Sequence, residues 1–153
     1  APKITELYAL GSMKALEVFT MQSAKLIFFL SLPIILILII FASFILSLFG
    51  AEFILGTTVL IIMAVSQLVN ISTGAVGELL NMTNYQKTKQ RIVFASALIN
   101  ILLNFILIPF YGIEGAAFST MVCMIFWNVA MILKVKEKLG FWAFYIPGIY
   151  INR

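Results

Sequence analysis

The chain has 153 residues, is 63% hydrophobic and 10% charged, and carries a formal net charge of +4 with no histidine. Soluble domains average roughly 45–50% apolar and about 25% charged, so so few charged groups cannot cover a water-facing surface, and lipid must replace water around most of the chain. There is no aspartate and Cys123 stands alone, which excludes an internal disulfide, a metal site and a Cys–His or Ser–His–Asp constellation.

Residues 1–25 carry Lys3, Glu6, Leu10, Lys14 and Glu17 on one helical face, with Ile4, Leu7, Tyr8, Ala15, Val18 and Phe19 over much of the other. This pattern predicts an amphipathic helix along the cytoplasmic membrane surface, or else an extension of the first span. The chain opens on Ala1 without a signal-peptide pattern, so a longer polypeptide is expected.

Four stretches contain no charge: Leu26–Ala51, Phe53–Gly77, Ile92–Ile113 and Gly115–Leu133. A membrane helix needs roughly 20 apolar residues. The expectation is an all-α integral membrane fold with spans at about 26–49, 54–80, 92–110 and 115–133, so that 26–138 is a four-helix membrane part. The last run, Leu139–Asn152, is short and broken by Pro147 and Gly148. Residues 139–153 are expected to be an interfacial segment or the start of a further span.

Span one contains Pro33, read as a bend near its cytoplasmic end or as a hinge, and Gly50 suits a helix cap. Span two is the polar one. Gln67, Asn70 and Gly74 recur at helical spacing, and Gly77, Glu78 and Asn81 continue the stripe. Such a stripe faces protein or a cavity, so it either lines a path or bonds neighbouring helices. Ser96, Asn100 and Asn104 form a second polar line in span three, open to the same two readings. Pro109 to Gly112 predict a helix stop with interfacial aromatics. Span four opens with the small pairs Gly115/Ser119 and Ala116/Thr120, which allow close backbone approach, and Glu114 suits its N-terminal dipole. The short link between spans three and four requires an antiparallel hairpin.

The cations Lys3, Lys14, Lys25, Lys87, Lys89, Arg91, Lys134, Lys136 and Lys138 all fall on one side of this four-span arrangement. The positive-inside rule makes that side cytoplasmic. Cations confined to span ends do not suggest nucleic acid as a partner. No glycine-rich phosphate loop is present, and the carboxylates Glu52 and Glu114 lie on the side opposite Glu78. An enzyme is therefore not expected, nor a cofactor or metal.

The segment "NYQKTKQRIVFASALINILLNFILIPFYGIEGAAFSTM" resembles the carboxyl-terminal region of bacterial polysaccharide-unit flippases. These are the O-antigen and capsule exporters of the multidrug/oligosaccharidyl-lipid/polysaccharide exporter superfamily. The likeness rests on the short basic loop, the Asn100/Asn104 pair and above all the turn at Ile108–Ala117. Upstream, "LSLFGAEFILGTTVLIIM" is similar to a family connection. The resemblance implies a transporter of roughly 12 to 14 helices in two bundles working by alternating access, located in the bacterial inner membrane. It implies an undecaprenyl-diphosphate-linked oligosaccharide as cargo. Membrane lipids and an N-terminal bundle of the same polypeptide would be partners. Gln67, Asn70, Asn100 and Asn104 would then line the sugar path, and Lys87, Lys89 and Arg91 would meet the anionic headgroup. Two other readings stand beside it: a cation-coupled multidrug exporter of the same superfamily, for which Glu78 is the coupling candidate, and a small oligomeric membrane scaffold.

Overall fold

The structure, a computed structural model, describes residues 2–145. Among them the ordered elements are all helical: α1 (Pro2–Ala9), α2 (Met13–Ile40), α3 (Ala42–Ser47), a 3-10 turn (Ala51–Gly56), α4 (Thr57–Thr73), α5 (Val76–Met82) and α6 (Gln86–Leu139). The stretches Met13–Ile40, Ala51–Thr73 and Gln86–Leu139 are long and apolar enough to cross a membrane.

The last of these is two helical limbs joined at a reversal. Gly112 has φ 54° and ψ −132°, outside the helical region, and the chain reverses there. The Ser96 hydroxyl donates to the Cys123 carbonyl at 3.2 Å. In a straight helix those residues would lie about 40 Å apart. The two limbs, 86–111 and 113–139, therefore form the antiparallel hairpin expected from the sequence. Gly115 sits so close to the first limb that an added Cβ would lie 2.6 Å from the Leu107 carbonyl oxygen.

Several boundaries differ from the sequence reading. The single helix expected over 1–25 is two, because Gly11 at φ 66° closes α1. Gly11 N–H donates to Tyr8 O and Ser12 N–H to Leu7 O, the pattern of a left-handed glycine cap. The second half, from Met13, is continuous with span one. That helix runs through Pro33, breaks at Phe41 and resumes as α3. Span two starts as a 3-10 turn and is interrupted at Gly74–Ala75, leaving α5 as a separate piece. Pro109 does not stop span three; the stop comes at Gly112. The two limbs of α6 also run past the polar ends expected for spans three and four, since their basic residues stay helical. Of the segment 139–153, residues 141–145 are described and lack regular structure, and the rest lies outside the described residues.

Two cores hold the helices. One joins α2 to α4 through Phe28, Ile35, Ala64 and Ile71. The other lies at the cationic end, where Leu16, Leu79, Leu80 and Val135 are fully buried together with Val76 and Ile92. Outward faces are apolar, with Phe29, Leu30, Ile34 and Ile37 exposed on α2, and Leu98, Ile101, Leu102 and Phe105 on the first limb of α6. Such faces suit hydrocarbon or further helices.

Beyond the spans, Glu137 bridges Lys134 and Lys138 in the last turns of α6. The hydrogen bond from Lys134, then that from Lys138, lowers its pKa from the ordinary 4.5 to about 2. A lowered folded-state value means that this cluster stabilises the fold above the ordinary carboxylate range and that the contribution is lost as pH falls toward 2. The stability gap between wild type and Glu137→Gln in detergent should therefore narrow as pH drops from 5 to about 2. A gap independent of pH would show that the cluster is not formed.

Gly115→Ala should destabilise the hairpin by about 1–3 kcal/mol, because backbone rather than a flexible side chain stands in the way. Gly56→Ala, where the nearest atom to an added Cβ is a Leu46 methyl at 3.8 Å, is the matched control. Thermal unfolding in detergent reads both.

Candidate functional site

The hairpin and α5 together make the polar face of the molecule. Because α5 follows the break at Gly74, its residues Val76, Gly77 and Glu78 turn toward the start and end of α6. A cleft of about 240 Å³ opens there, walled by Asn70, Gly74, Glu78, Lys89, Trp127 and Asn128 among others. A second cleft of about 250 Å³ continues along the groove between the two limbs and takes in Ser96, Asn100, Thr120 and Cys123. Val93 and Trp127 belong to both, so the clefts are neighbours on one face with the indole between them.

At the cationic end, the Lys89 ammonium stands 3.3 Å from a Glu78 oxygen, with the lysine side chain 25% exposed and the carboxylate 55% exposed. An ion pair this wet contributes little stability. Its partners can exchange for others without the cost of stranding a buried charge. Gly77 packs beside it, where an added Cβ would meet Lys89 Cε at 3.3 Å and Met131 Sδ at 3.5 Å. The absence of a side chain at Gly77 lets the lysine lie along α5.

Deeper in, Asn128 is 2% exposed and bonded at both its amide nitrogen and its carbonyl. Its amide donates to Met124 O at 2.9 Å, and its carbonyl accepts from the Thr73 hydroxyl at 2.7 Å. That hydroxyl also lies 2.8 Å from Asn70 O. This is the bond that ties α4 to the second limb just above the Gly74 break. The amide pairs expected in the path are each self-paired. Asn70 donates to Gln67 at 3.1 Å, and Asn104 donates to Asn100 at 3.0 Å. Asn104 Oδ1 is buried without a partner.

Of the residues singled out by sequence, Asn70, Glu78, Lys89 and Asn100 come together on this face. Gln67 and Asn104 stand one helical turn behind, each hydrogen-bonded to a residue that lines a cleft. Lys87 and Arg91 are exposed at the same end of α6 but wall neither cleft. The carboxylate proposed for ion coupling is the one paired with Lys89. Three contributors were missed: Thr73, Trp127 and Asn128. The signal for Asn128 was present, as a lone amide in the middle of a charge-free stretch, at i+8 from Thr120 on the small-residue face of span four.

A long apolar chain with a basic end, a tight glycine hairpin and a polar seam between helices has a counterpart among known families. The MatE family profile matches residues 2–106. The chain belongs to the MatE family. Its helices are therefore those of a multi-pass membrane exporter in the multidrug/oligosaccharidyl-lipid/polysaccharide exporter superfamily. The match takes in α1 to α5 and most of the first α6 limb, so Asn70, Glu78, Lys89 and Asn100 all fall inside MatE sequence. No curated protein matches the chain, and no solved structure does.

In this MatE chain the Thr73–Asn128 bond is the interior tie of the site. Thr73→Val keeps the shape and removes the donor, leaving Asn128 Oδ1 buried and unmet. It should cost about 1–2 kcal/mol of stability. Asn70→Ala, whose partner Gln67 is only half-buried, should cost less in the same melting experiment.

Proposed function

We propose that this exporter moves an undecaprenyl-diphosphate-linked oligosaccharide across the bacterial inner membrane for surface polysaccharide assembly, by alternating access. The charged end of the chain then faces the cytoplasm, in keeping with the positive-inside rule. The observation that carries the reading is the order of chemistry along the polar face. An exchangeable lysine–carboxylate pair sits at the charged end, followed by amide and hydroxyl groups around an indole.

A diphosphate is a dianionic oxygen cluster and suits Lys89, whose attraction to Glu78 it can replace. Lys87 and Arg91, exposed nearby, raise the local positive potential that gathers such a headgroup. Sugars present hydroxyls to amides and flat C–H faces to aromatic rings, which suits Asn70, Asn100 and Trp127. The polyprenyl tail stays in lipid along the exposed apolar faces. Coupling by proton or sodium through a carboxylate gains less support, because Glu78 is more than half exposed and already paired, unlike the desolvated acids that serve that role.

The test uses the full-length protein reconstituted in vesicles with undecaprenyl-diphosphate-linked oligosaccharide. Lys89→Gln should lower the initial flipping rate on the order of tenfold, the loss of one charge-assisted contact. Glu78→Gln should leave it within about twofold. Loss of transport in Glu78→Gln with Lys89→Gln unaffected would replace this reading with the cation-coupled drug exporter.

A further inference from the structure

The segment after α6 has a role that the transport face alone does not explain. Gly140, left-handed at φ 85°, ends the helix, and residues 141–145 then run back across the bundle without regular structure. Phe141 and Ala143 are buried in the core of the cationic end. Lys136 holds the start of the strap, donating to Gly140 O at 2.9 Å and lying 5.4 Å from the Trp142 ring centre. Tyr145 reaches the other core, edge-on to Phe28 at 5.6 Å and near Phe29 at 6.0 Å. The strap thus connects the two cores.

It also meets the interruption in span two. In an unbroken helix, Ser72 O would accept from Val76 N–H. Gly74, at φ 55° and ψ −131°, turns that donor away. Among the carbonyls released, Ile71 O accepts from Gly74 N–H, and Asn70 O lies 2.8 Å from the Thr73 hydroxyl whose proton goes to Asn128. Ser72 O accepts from Tyr145 N–H at 2.7 Å. The strap therefore supplies, from a distant part of the chain, the donor that the helix break withholds. In a low-dielectric setting an unmet carbonyl is costly, so the bond holds this setting of the break. Gly74, Ala75, Val76, Gly77 and Glu78, from the break onward, all wall the polar cleft. A change of angle between α4 and α5 changes that cleft.

We infer that residues 141–145 are a clasp that holds the Gly74–Ala75 break in its present setting, and that release of Tyr145 from Ser72 lets α5 swing against α4 and opens the polar cleft. As regulation of a cargo path this rests on the function proposed above, but the mechanical claim is tested without cargo. On α2, Ala24 lies against Gly74, with an added Cβ only 2.8 Å from Ala24 Cα. Ala24 gives α4 and α5 a surface to pivot on, and this contact leaves no room for any residue but glycine at the pivot.

The experiment uses the purified full-length protein with its other thiols replaced, including Cys123→Ala, and a water-soluble maleimide. Asn70→Cys places a reporter in the cleft, and Ser66→Cys, at a fully buried position, reports on the fold as a whole. Tyr145→Pro removes the donor and the ring. It should speed labelling of the Asn70→Cys reporter roughly tenfold, as expected for loss of one buried hydrogen bond, while the Ser66→Cys reporter stays unreactive. Tyr145→Phe keeps both donor and ring and should label like the parent. Unchanged labelling of the cleft reporter in Tyr145→Pro would overturn the clasp. So would faster labelling at both positions, which would make the strap a support of the whole fold. A clasp that responds as expected in a protein that does not flip the lipid-linked oligosaccharide would remove the proposed cargo and leave the clasp standing.

Discussion

Two glycines in nearly the same backbone conformation organise this chain. Gly74 and Gly112 both lie near φ 55° with ψ close to −131°, a region that residues with a Cβ reach only under strain. Yet they do opposite things. Gly112 reverses the chain and builds the hairpin whose seam holds Asn100, Thr120 and Trp127. Gly74, followed by the non-helical Ala75, shifts α5 without reversing it: Thr73 meets Asn128, and Gly77 next approaches Met131, so span two keeps its course beside the second limb. The demand also differs. At Gly112 nothing lies within 4 Å of an added Cβ, so the requirement is the dihedral alone. At Gly74 the backbone of Ala24 blocks the space as well.

The rest of the packing is divided between two solvents. At the charged end, large aliphatic side chains from α1, α2, α5 and both ends of α6 close a core that would serve in water. There the hydrophobic effect drives association. Within the spans lipid is as apolar as leucine, and close contact and polar ties must do that work. The small residues at Gly115, Ala117 and Ser119 are buried, and the tie from Thr73 to Asn128 belongs to this second regime. The polar cleft at Gly74–Glu78 lies where the two regimes meet, sharing Val76 and Met131 with the core of the charged end.

Much of the fold was legible because lipid imposes a strict rule on charge. The four charge-free stretches correspond to four long helical limbs, and the three residues between Ile108–Tyr111 and Gly115 leave room for nothing but a tight reversal. What stayed hidden depended on tertiary neighbours. Gly74 is one glycine among several in span two, and only its contact with Ala24 and its missing helical bond reveal the break. The Gly11 cap divided what periodicity alone reads as one amphipathic helix. The polar stripes could be placed on helix faces but not assigned partners. In the event Gln67 and Asn104 turned to Asn70 and Asn100 on their own helices. Asn128 was overlooked because it stands among apolar residues, although isolation of that kind is itself what makes a buried partner necessary.

The hairpin at Gly112 also bears on how the chain enters a membrane. With no loop to speak of between them, limbs 86–111 and 113–139 are kept as neighbours by the chain itself, which favours their entry as a pair. The first limb alone would carry two amides into hydrocarbon. Because Asn104 donates to Asn100 one turn away, part of that polarity is neutralised inside the helix before any neighbour arrives. The second limb, pressed against it at Gly115 and bonded to it through Ser96 and Cys123, arrives already matched. The short turn thus favours insertion of this region as one matched pair, beside which the earlier spans pack.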